Sequence, residues 1–395
     1  MTTRKTFPLR RLLAGLGAAL LAGAAMAQAA TQGVTKDEIL VGTITDLSGP
    51  IAYVGKNTRN GLQLRVDEIN AAGGINGRKI RLLVEDNGYD PKRSVLAAQK
   101  LVNSDGVFAI LYHAGSAMNI AAMPILFERN VINFMPASGA RAMFEPPDRL
   151  KIALTSPNYD QMEVGVPFLI KQKKHTKVCA IYQDDEFGQE HLRGAESGLK
   201  KVNLGITDRA TFKRGATDFS SQVAKIKQSG CTMVVLGSLV RETIGIVSEA
   251  HKNDYNPDFL AGESGYNTQV AELGGAGMDG LYAVHAFNTP YPDDPSKAMR
   301  EFYANYKAKY GEAPQQTGMY AYYAMDIFGK AAAKAGPNLT TDSFLNAMES
   351  TTFANPFGGG EFSISKTDRL GIRELRVSQI QKGRWTNVSE LLSAR

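Results

Sequence analysis

From Glu38 onward the chain alternates short apolar runs with amphipathic ones, and it does so twice. Ile39–Ile44 is strand-like, and Leu62, Val66 and Ile69 then recur at i, i+4 and i+7, as one face of a helix would. Gly73-Gly74 stops that helix. Ile80–Glu85, Val107–Tyr112 and Val131–Met135 read as further strands, with helices over Ser94–Asn103 and from Ser116 between them. Strands separated by helices of about 10–15 residues form a parallel sheet covered on both faces.

The pattern restarts at Lys177–Tyr182. Thr207–Phe212, Thr232–Gly237, Phe259–Ala261 and Gly280–Val284 are its later strands. Helices over Gly188–Lys200 and Arg241–Asn253, and one carrying Phe219, Val223 and Ile226 behind an Asp218 N-cap, lie between them. Helical stretches follow at Pro295–Tyr310, Gly318–Ala335 and Thr341–Met348. After Gly358-Gly359-Gly360, Glu361–Ile364 and Arg373–Gln381 alternate like a closing β-ribbon. The expected architecture is α/β: two doubly wound parallel-sheet lobes, joined near Thr155–Asn158, crossed several times by the chain and facing each other across a cleft. Residues 34–156 with 285–355 would make the first lobe, and 157–284 with 356–395 the second.

Charge narrows the function. The formal +6 includes Arg4, Lys5, Arg10 and Arg11, which lie in the first 27 positions where there is no acidic residue. Without them 41 basic residues face 39 acidic ones, so the clustered basic surplus of a nucleic-acid binder is missing. The same four precede an apolar run from Leu12 and small residues at Ala25-Met26-Ala27, the three-part pattern of a cleaved signal peptide over residues 1–27. The run is shorter than the roughly 20 residues that span a bilayer, so the mature chain is expected soluble outside the cytoplasm. Cys179 and Cys231 both fall in apolar, strand-like runs. Two buried thiols are the preferred reading, with a disulfide between them the alternative.

Signatures of catalysis fail on context. Gly275-Ala276-Gly277-Met278-Asp279-Gly280 has the glycine spacing of a nucleotide loop, yet it follows a helix and leads into a strand, the reverse of the required order. It reads as a helix end and loop. Gly262-Glu263-Ser264-Gly265 resembles a nucleophile elbow, but Tyr266 stands where its last glycine belongs. The histidines at 113, 175, 191, 251 and 285 have no metal-ligand spacing. Asp184-Asp185-Glu186 lacks the glycine and distal Glu of a calcium loop and fits a solvated or lobe-contact role. No catalytic residue, metal or cofactor is expected.

Ligands of open α/β sheets sit beyond the carboxyl ends of strands, where helix N-termini aim N–H groups outward. Those ends carry Tyr53 and Val54, Ser116, and Ala137-Ser138-Gly139 in the first unit, and Phe187, Leu239 and Glu263 in the second. Small and hydroxylated residues suit a carboxylate. Glu263 suits an ammonium group, through a charge-assisted bond worth about 1.5–3 kcal/mol.

The chain resembles the type I periplasmic solute-binding proteins of ABC transporters, in particular the leucine/isoleucine/valine-binding branch. The resemblance runs through Asp46-Leu47-Ser48-Gly49-Pro50 with Gly55, Ile69–Gly77, Glu85-Asp86 with Asp90-Pro91, Tyr182-Gln183-Asp184 with Phe187-Gly188, and Asp218-Phe219-Ser220. It implies lobes that close on a small ligand, a permease as partner, a periplasmic location and a monomer. It also implies that Ser116 and Ala137–Gly139 take a carboxylate, that Glu263 takes an amine, and that Phe187 is an aromatic wall. Val54 and Leu239 fall where well-studied members carry Tyr, and Gly139 where a Thr often supplies a hydroxyl, which Ser138 or a water would have to replace. Tyr89 and Gly115 occupy positions that pair as a disulfide in some members. The implied ligand is a branched-chain or other apolar amino acid. The alternatives are an aromatic or other amine-free carboxylate, an amide or urea, or a sensing role beside a membrane receptor.

Overall fold

The computed structural model describes residues 1–3, 31–358 and 360–393, so nearly all of residues 1–27, expected to be a signal peptide, lies outside the described residues. Strands β1 (Glu38–Thr45), β2 (Lys79–Asp86), β3 (Ala109–Leu111), β4 (Ile132–Phe134) and β5 (Lys151–Thr155) form a parallel sheet in the order β2-β1-β3-β4-β5. Helices α1 (Ala52–Ala71), α2 (Pro91–Gln99) and α3 (Ser116–Glu128) connect them. The second unit begins with α4 (Asn158–Lys173) and continues through β6 (Val178–Gln183), α5 (Glu186–Lys200), β7 (Ile206–Phe212), α6 (Ser220–Gln228) and β8 (Met233–Gly237). Then come α7 (Val240–Lys252), β9 (Asp258–Ala261), α8 (Thr268–Gly274) and β10 (Tyr282–His285), in the parallel order β7-β6-β8-β9-β10. Central strands such as Val178–Gln183 and Met233–Gly237 are buried along their whole length, which is why they read as continuous apolar runs.

The chain returns to the first lobe with α9 (Lys297–Tyr310), α10 (Gln316–Ala335) and α11 (Thr341–Glu349). Four phenylalanines, Phe108, Phe134, Phe328 and Phe344, meet edge-on or tilted with ring centres 5.1–6.1 Å apart and fasten α10 and α11 to β3 and β4. Glycines let α10 lie close against α1: a Cβ on Gly61 would stand 1.9 Å from the Gly318 carbonyl oxygen. The first turn of α10 is thereby held against the middle of α1.

The C-terminal ribbon differs from expectation. After β11 (Phe353–Ala354), strand β12 (Glu361–Phe362) pairs with β11 rather than with the later segment. β13 (Leu370–Ile372) then runs parallel to β5 in the first sheet, so 356–395 does not belong wholly to the second lobe. Only β14 (Glu374–Gln381), with β15 (Arg384–Asn387) and β16 (Leu392–Ser393) antiparallel beside it, completes the second sheet against β10. Alternation identifies a strand but not its partner, because the same apolar face can dock on either sheet edge.

Three crossings join the lobes among the described residues, at 155–158, 285–297 and 372–374. The first and third touch, since the Ser156 hydroxyl donates to the Arg373 carbonyl at 3.2 Å. Two elements at the first crossing, β5 and α4, had no counterpart in the expected order. Lys151 opens β5, buried with its ammonium on the carbonyls of Glu145 and Pro146, and Pro167 sits inside α4. Both residue types weaken a periodicity reading. Asp218 does not N-cap α6 itself. Phe219 holds that position, while the Asp218 carboxylate accepts the Ser220 N–H at 2.9 Å from one residue further out.

Cys179 and Cys231 form a disulfide, correcting the preferred reading of two free thiols. Parallel pairing of β6 beside β8 brings the two sulfurs together, a juxtaposition that 52 residues of separation conceal. The glycine-spaced segment 275–280 is, as read, a helix end: Gly275 terminates α8 with φ of 62° and a short 3₁₀ turn follows.

Candidate functional site

The strand tops build the site by turning sharply. Tyr112 and Met135, at the ends of β3 and β4, both have φ of 50°, a left-handed conformation costly for these side chains and concentrated at functional sites. The two segments beyond them run side by side, with Ala114 bridged to Ala137, the Gly115 N–H donating to the Ala137 carbonyl (3.0 Å) and the Ala137 N–H to the His113 carbonyl (2.9 Å). In the loop after β1, the Asp46 carboxylate accepts the N–H groups of Ser48, Gly49 and Ile51 and sets the entry into α1.

Between the lobes lies a cavity of about 140 Å³. All nine expected residues, Tyr53, Val54, Ser116, Ala137, Ser138, Gly139, Phe187, Leu239 and Glu263, line it. First turns of seven helices converge there: α1 through Tyr53 and Val54, α3 through Ser116, α4 through Asn158, α5 through Phe187, α7 through Val240, α8 through its cap Asn267, and α10 through Thr317. The positive ends of their aligned dipoles make the cavity favourable for negative charge on a guest.

One wall is apolar and spans both lobes. Ile51, Tyr89 and Met118 pack with Val54 and Tyr53 from the first lobe and Leu239 from the second. Phe187 adds a ring, positioned because Asp185 caps α5 and accepts the N–H groups of Phe187 (3.1 Å) and Gly188 (3.4 Å). Asp185 also supplies the lobe contact expected of the acidic cluster. Arg214 pairs with it at 2.7 Å, lies 5.1 Å over the Tyr89 ring and donates to the Tyr89 carbonyl across the cleft at 3.4 Å. Tyr89 sits directly beside Gly115, where a Cβ would stand 2.9 Å from its ring.

At the hydroxyl-rich end, Ser138 Oγ donates to Ser116 Oγ at 3.0 Å and accepts the Ala140 N–H at 3.2 Å. Fewer backbone donors are free than the small residues suggested. The Ala137 and Ser138 N–H groups are taken by the His113 and Pro136 carbonyls, so hydroxyls and helix N-termini carry more of the task.

Glu263 enters the cavity from the loop after β9 in the second lobe. Its backbone N–H donates to Gln161 Oε1 at 2.8 Å, and its carboxylate joins the lobes. Oε1 accepts from the Tyr320 hydroxyl of α10 and from the Ala286 N–H at 3.1 Å, and Oε2 accepts from the Thr155 hydroxyl of β5 at 3.2 Å. A carboxylate has about four acceptor positions, so one remains, on Oε2. Burial pushes the Glu263 carboxyl above its usual range, while the bonds from Tyr320, Ala286 and Thr155 pull it back. Among the described residues lining the cavity, Glu263 is the one carboxylate, and no Lys, Arg or His stands with it.

Thr155, Asn158, Gln161, Gln316, Thr317 and Tyr320 are lining residues that sequence reasoning missed. Thr155 is itself the carboxyl end of a parallel strand and would have surfaced with β5. Tyr320 and its neighbours arrive on a helix that follows a lobe crossing, where the strand-end rule does not reach.

Two α/β lobes around a cavity that offers hydroxyls, a carboxylate and an apolar wall form a site suited to a small solute. The chain belongs to the periplasmic binding protein family, whose profile matches residues 38–384. It is 28% identical over 272 residues to the Leu/Ile/Val-binding protein of Escherichia coli K12, covering 69% of this chain and 74% of that one. A fatty acid ABC transporter substrate-binding protein from Thermomonospora curvata shares the fold at a TM-score of 0.84 and 24% identity, over 92% of this chain and 94% of that one. A branched chain amino acid ABC transporter protein from Thermus thermophilus with bound valine does so at 0.83 and 18%, over 91% and 97%. The type I fold of two lobes is as the resemblance implied.

Proposed function

We propose that this protein is the substrate-binding component of an ABC importer. In this reading it captures a branched-chain or other apolar amino acid in the periplasm, delivers it as a monomer to a membrane permease, and catalyses no reaction. The observation that carries the reading is Glu263: a half-buried carboxylate with one acceptor position open to the cavity and no protein cation among the described lining residues. An unpaired buried charge is costly, and a ligand ammonium relieves it. The helix N-termini and the Ser116 hydroxyl, oriented by the bond it accepts from Ser138, then receive the ligand carboxylate, and the wall of Ile51, Val54, Phe187 and Leu239 receives its side chain. The cavity suits a compact solute, and the curated relative named above binds leucine, isoleucine and valine.

One observation favours a second reading, an amine-free carboxylate such as an aromatic acid. Burial raises Glu263, and a protonated Glu263 needs no ammonium partner. Thermal unfolding against the common amino acids, benzoate and simple amides separates the two. A true ligand at 100 times its dissociation constant adds about 2.7 kcal/mol of stability. Stabilisation by leucine, isoleucine or valine is the expected result, and stabilisation by benzoate alone would transfer the function to the second reading.

A further inference from the structure

Residue 139 has no side chain, yet the space beside it is filled. A Cβ built on Gly139 would stand 2.1 Å from Oδ1, 2.4 Å from Cγ and 2.7 Å from Nδ2 of Asn158, so the Asn158 carboxamide occupies the place of the missing side chain. Asn158 is the first residue of α4, and its backbone N–H donates to the Gly139 carbonyl at 2.8 Å, which fixes the two segments together. It is 3% exposed and lines the cavity, and its Nδ2 is buried without a hydrogen-bond partner in the protein.

An amide N–H₂ stranded in this way is destabilising unless something outside the chain accepts its hydrogens. Ser138, Ser116 and Thr155 also line the cavity, and none of them accepts from it. The one carboxylate among the described lining residues, Glu263, accepts from Tyr320, Ala286 and Thr155 instead.

We propose that Asn158 is a ligand-binding residue, its Nδ2 donating to a carboxylate oxygen of the solute from the first turn of α4. The inference rests on the carboxylate-bearing ligand argued above and adds to it. The carboxylate is then held by both lobes, by Ser116 (which Ser138 orients) from the first and by Asn158 from the second, at the point where the chain crosses between them. Asn158 thereby distinguishes a carboxylate from its carboxamide, because a neutral donor beside helix N-termini favours an acceptor-only group.

The test uses the full mature chain and two matched pairs of probes: L-leucine with L-leucinamide, and benzoate with benzamide. Isothermal titration is run on the native protein, Asn158→Ala and Asn158→Asp, with ligand-free thermal unfolding alongside. For whichever carboxylate binds the native protein, Asn158→Ala should weaken it about 10- to 150-fold, the span of a hydrogen bond to a charged group. Asn158→Asp keeps the size but turns a donor into a charged acceptor. It should lose the carboxylate by about 100-fold or more while losing the carboxamide far less, shifting the preference between the two probes. Carboxylate binding within about threefold of native in both variants overturns the proposal. So does an equal loss of both probes together with a lowered unfolding temperature, which marks Asn158 as structural only. If the native protein binds neither carboxylate, the carboxylate reading itself fails, a result distinct from either of these.

Discussion

Glu263→Gln isolates the charge of the site from its shape. In the native protein three of the carboxylate's acceptor positions are filled, by the Tyr320 hydroxyl, the Ala286 N–H at 3.1 Å and the Thr155 hydroxyl at 3.2 Å. A glutamine keeps an oxygen for Tyr320 and Ala286 and presents its N–H₂ to Thr155, whose hydroxyl can accept as readily as donate. The fold therefore keeps its hydrogen bonds, and its stability should change by less than about 1 kcal/mol. The ligand does not keep its own. A charge-assisted bond from an ammonium group is worth about 1.5–3 kcal/mol, which at about 1.4 kcal/mol per decade weakens L-leucine about 10- to 150-fold. The same carbon skeleton without the amine, 4-methylpentanoate, has no ammonium to lose and should bind the variant as well as the native protein or better. Acid provides a second signature. Because burial raises the Glu263 carboxyl, acid protonates it sooner than an ordinary carboxylate and removes the acceptor, so L-leucine affinity should fall as pH is lowered in the native protein and fall less in the variant. Isothermal titration of both ligands against both proteins measures all of this. If L-leucine binds the variant within about threefold of native, or if both ligands lose affinity equally, the amine role of Glu263 is refuted.

Two further outcomes concern stability. Reducing Cys179–Cys231, which closes a span of 52 residues, should cost about 2–4 kcal/mol in urea unfolding with and without reductant, and an unchanged midpoint would remove the disulfide from the stability account. His113, His191 and His285 are buried neutral, their imidazoles pushed down by desolvation to about 3, 4 and 3. The unfolded chain binds protons at these groups below about pH 6.5 while the native chain does not, so each contributes stability that is complete above that pH and is lost at up to about 1.4 kcal/mol per unit as pH falls towards 4. Equal unfolding free energies at pH 7 and pH 5 would contradict this.

Local sequence carried a great deal of this protein. Period-2 and period-3.6 patterning marked most strands and helices of both units, and the rule that ligands gather at strand carboxyl ends picked nine residues that line one cavity. Both kinds of information are local, because a strand declares its burial along its own length and a parallel sheet obliges its strand tops to point the same way. What needed three dimensions was pairing. Leu370–Ile372 could have joined either sheet, Cys179 could have stayed a thiol, and Thr155 and Tyr320 bond one carboxylate from distant points in the chain. Gly139 looked like a gap in the site until α4 placed Asn158 beside it. Such contacts depend on which surfaces meet when the lobes come together, and nothing in the neighbourhood of either residue along the chain encodes its partner.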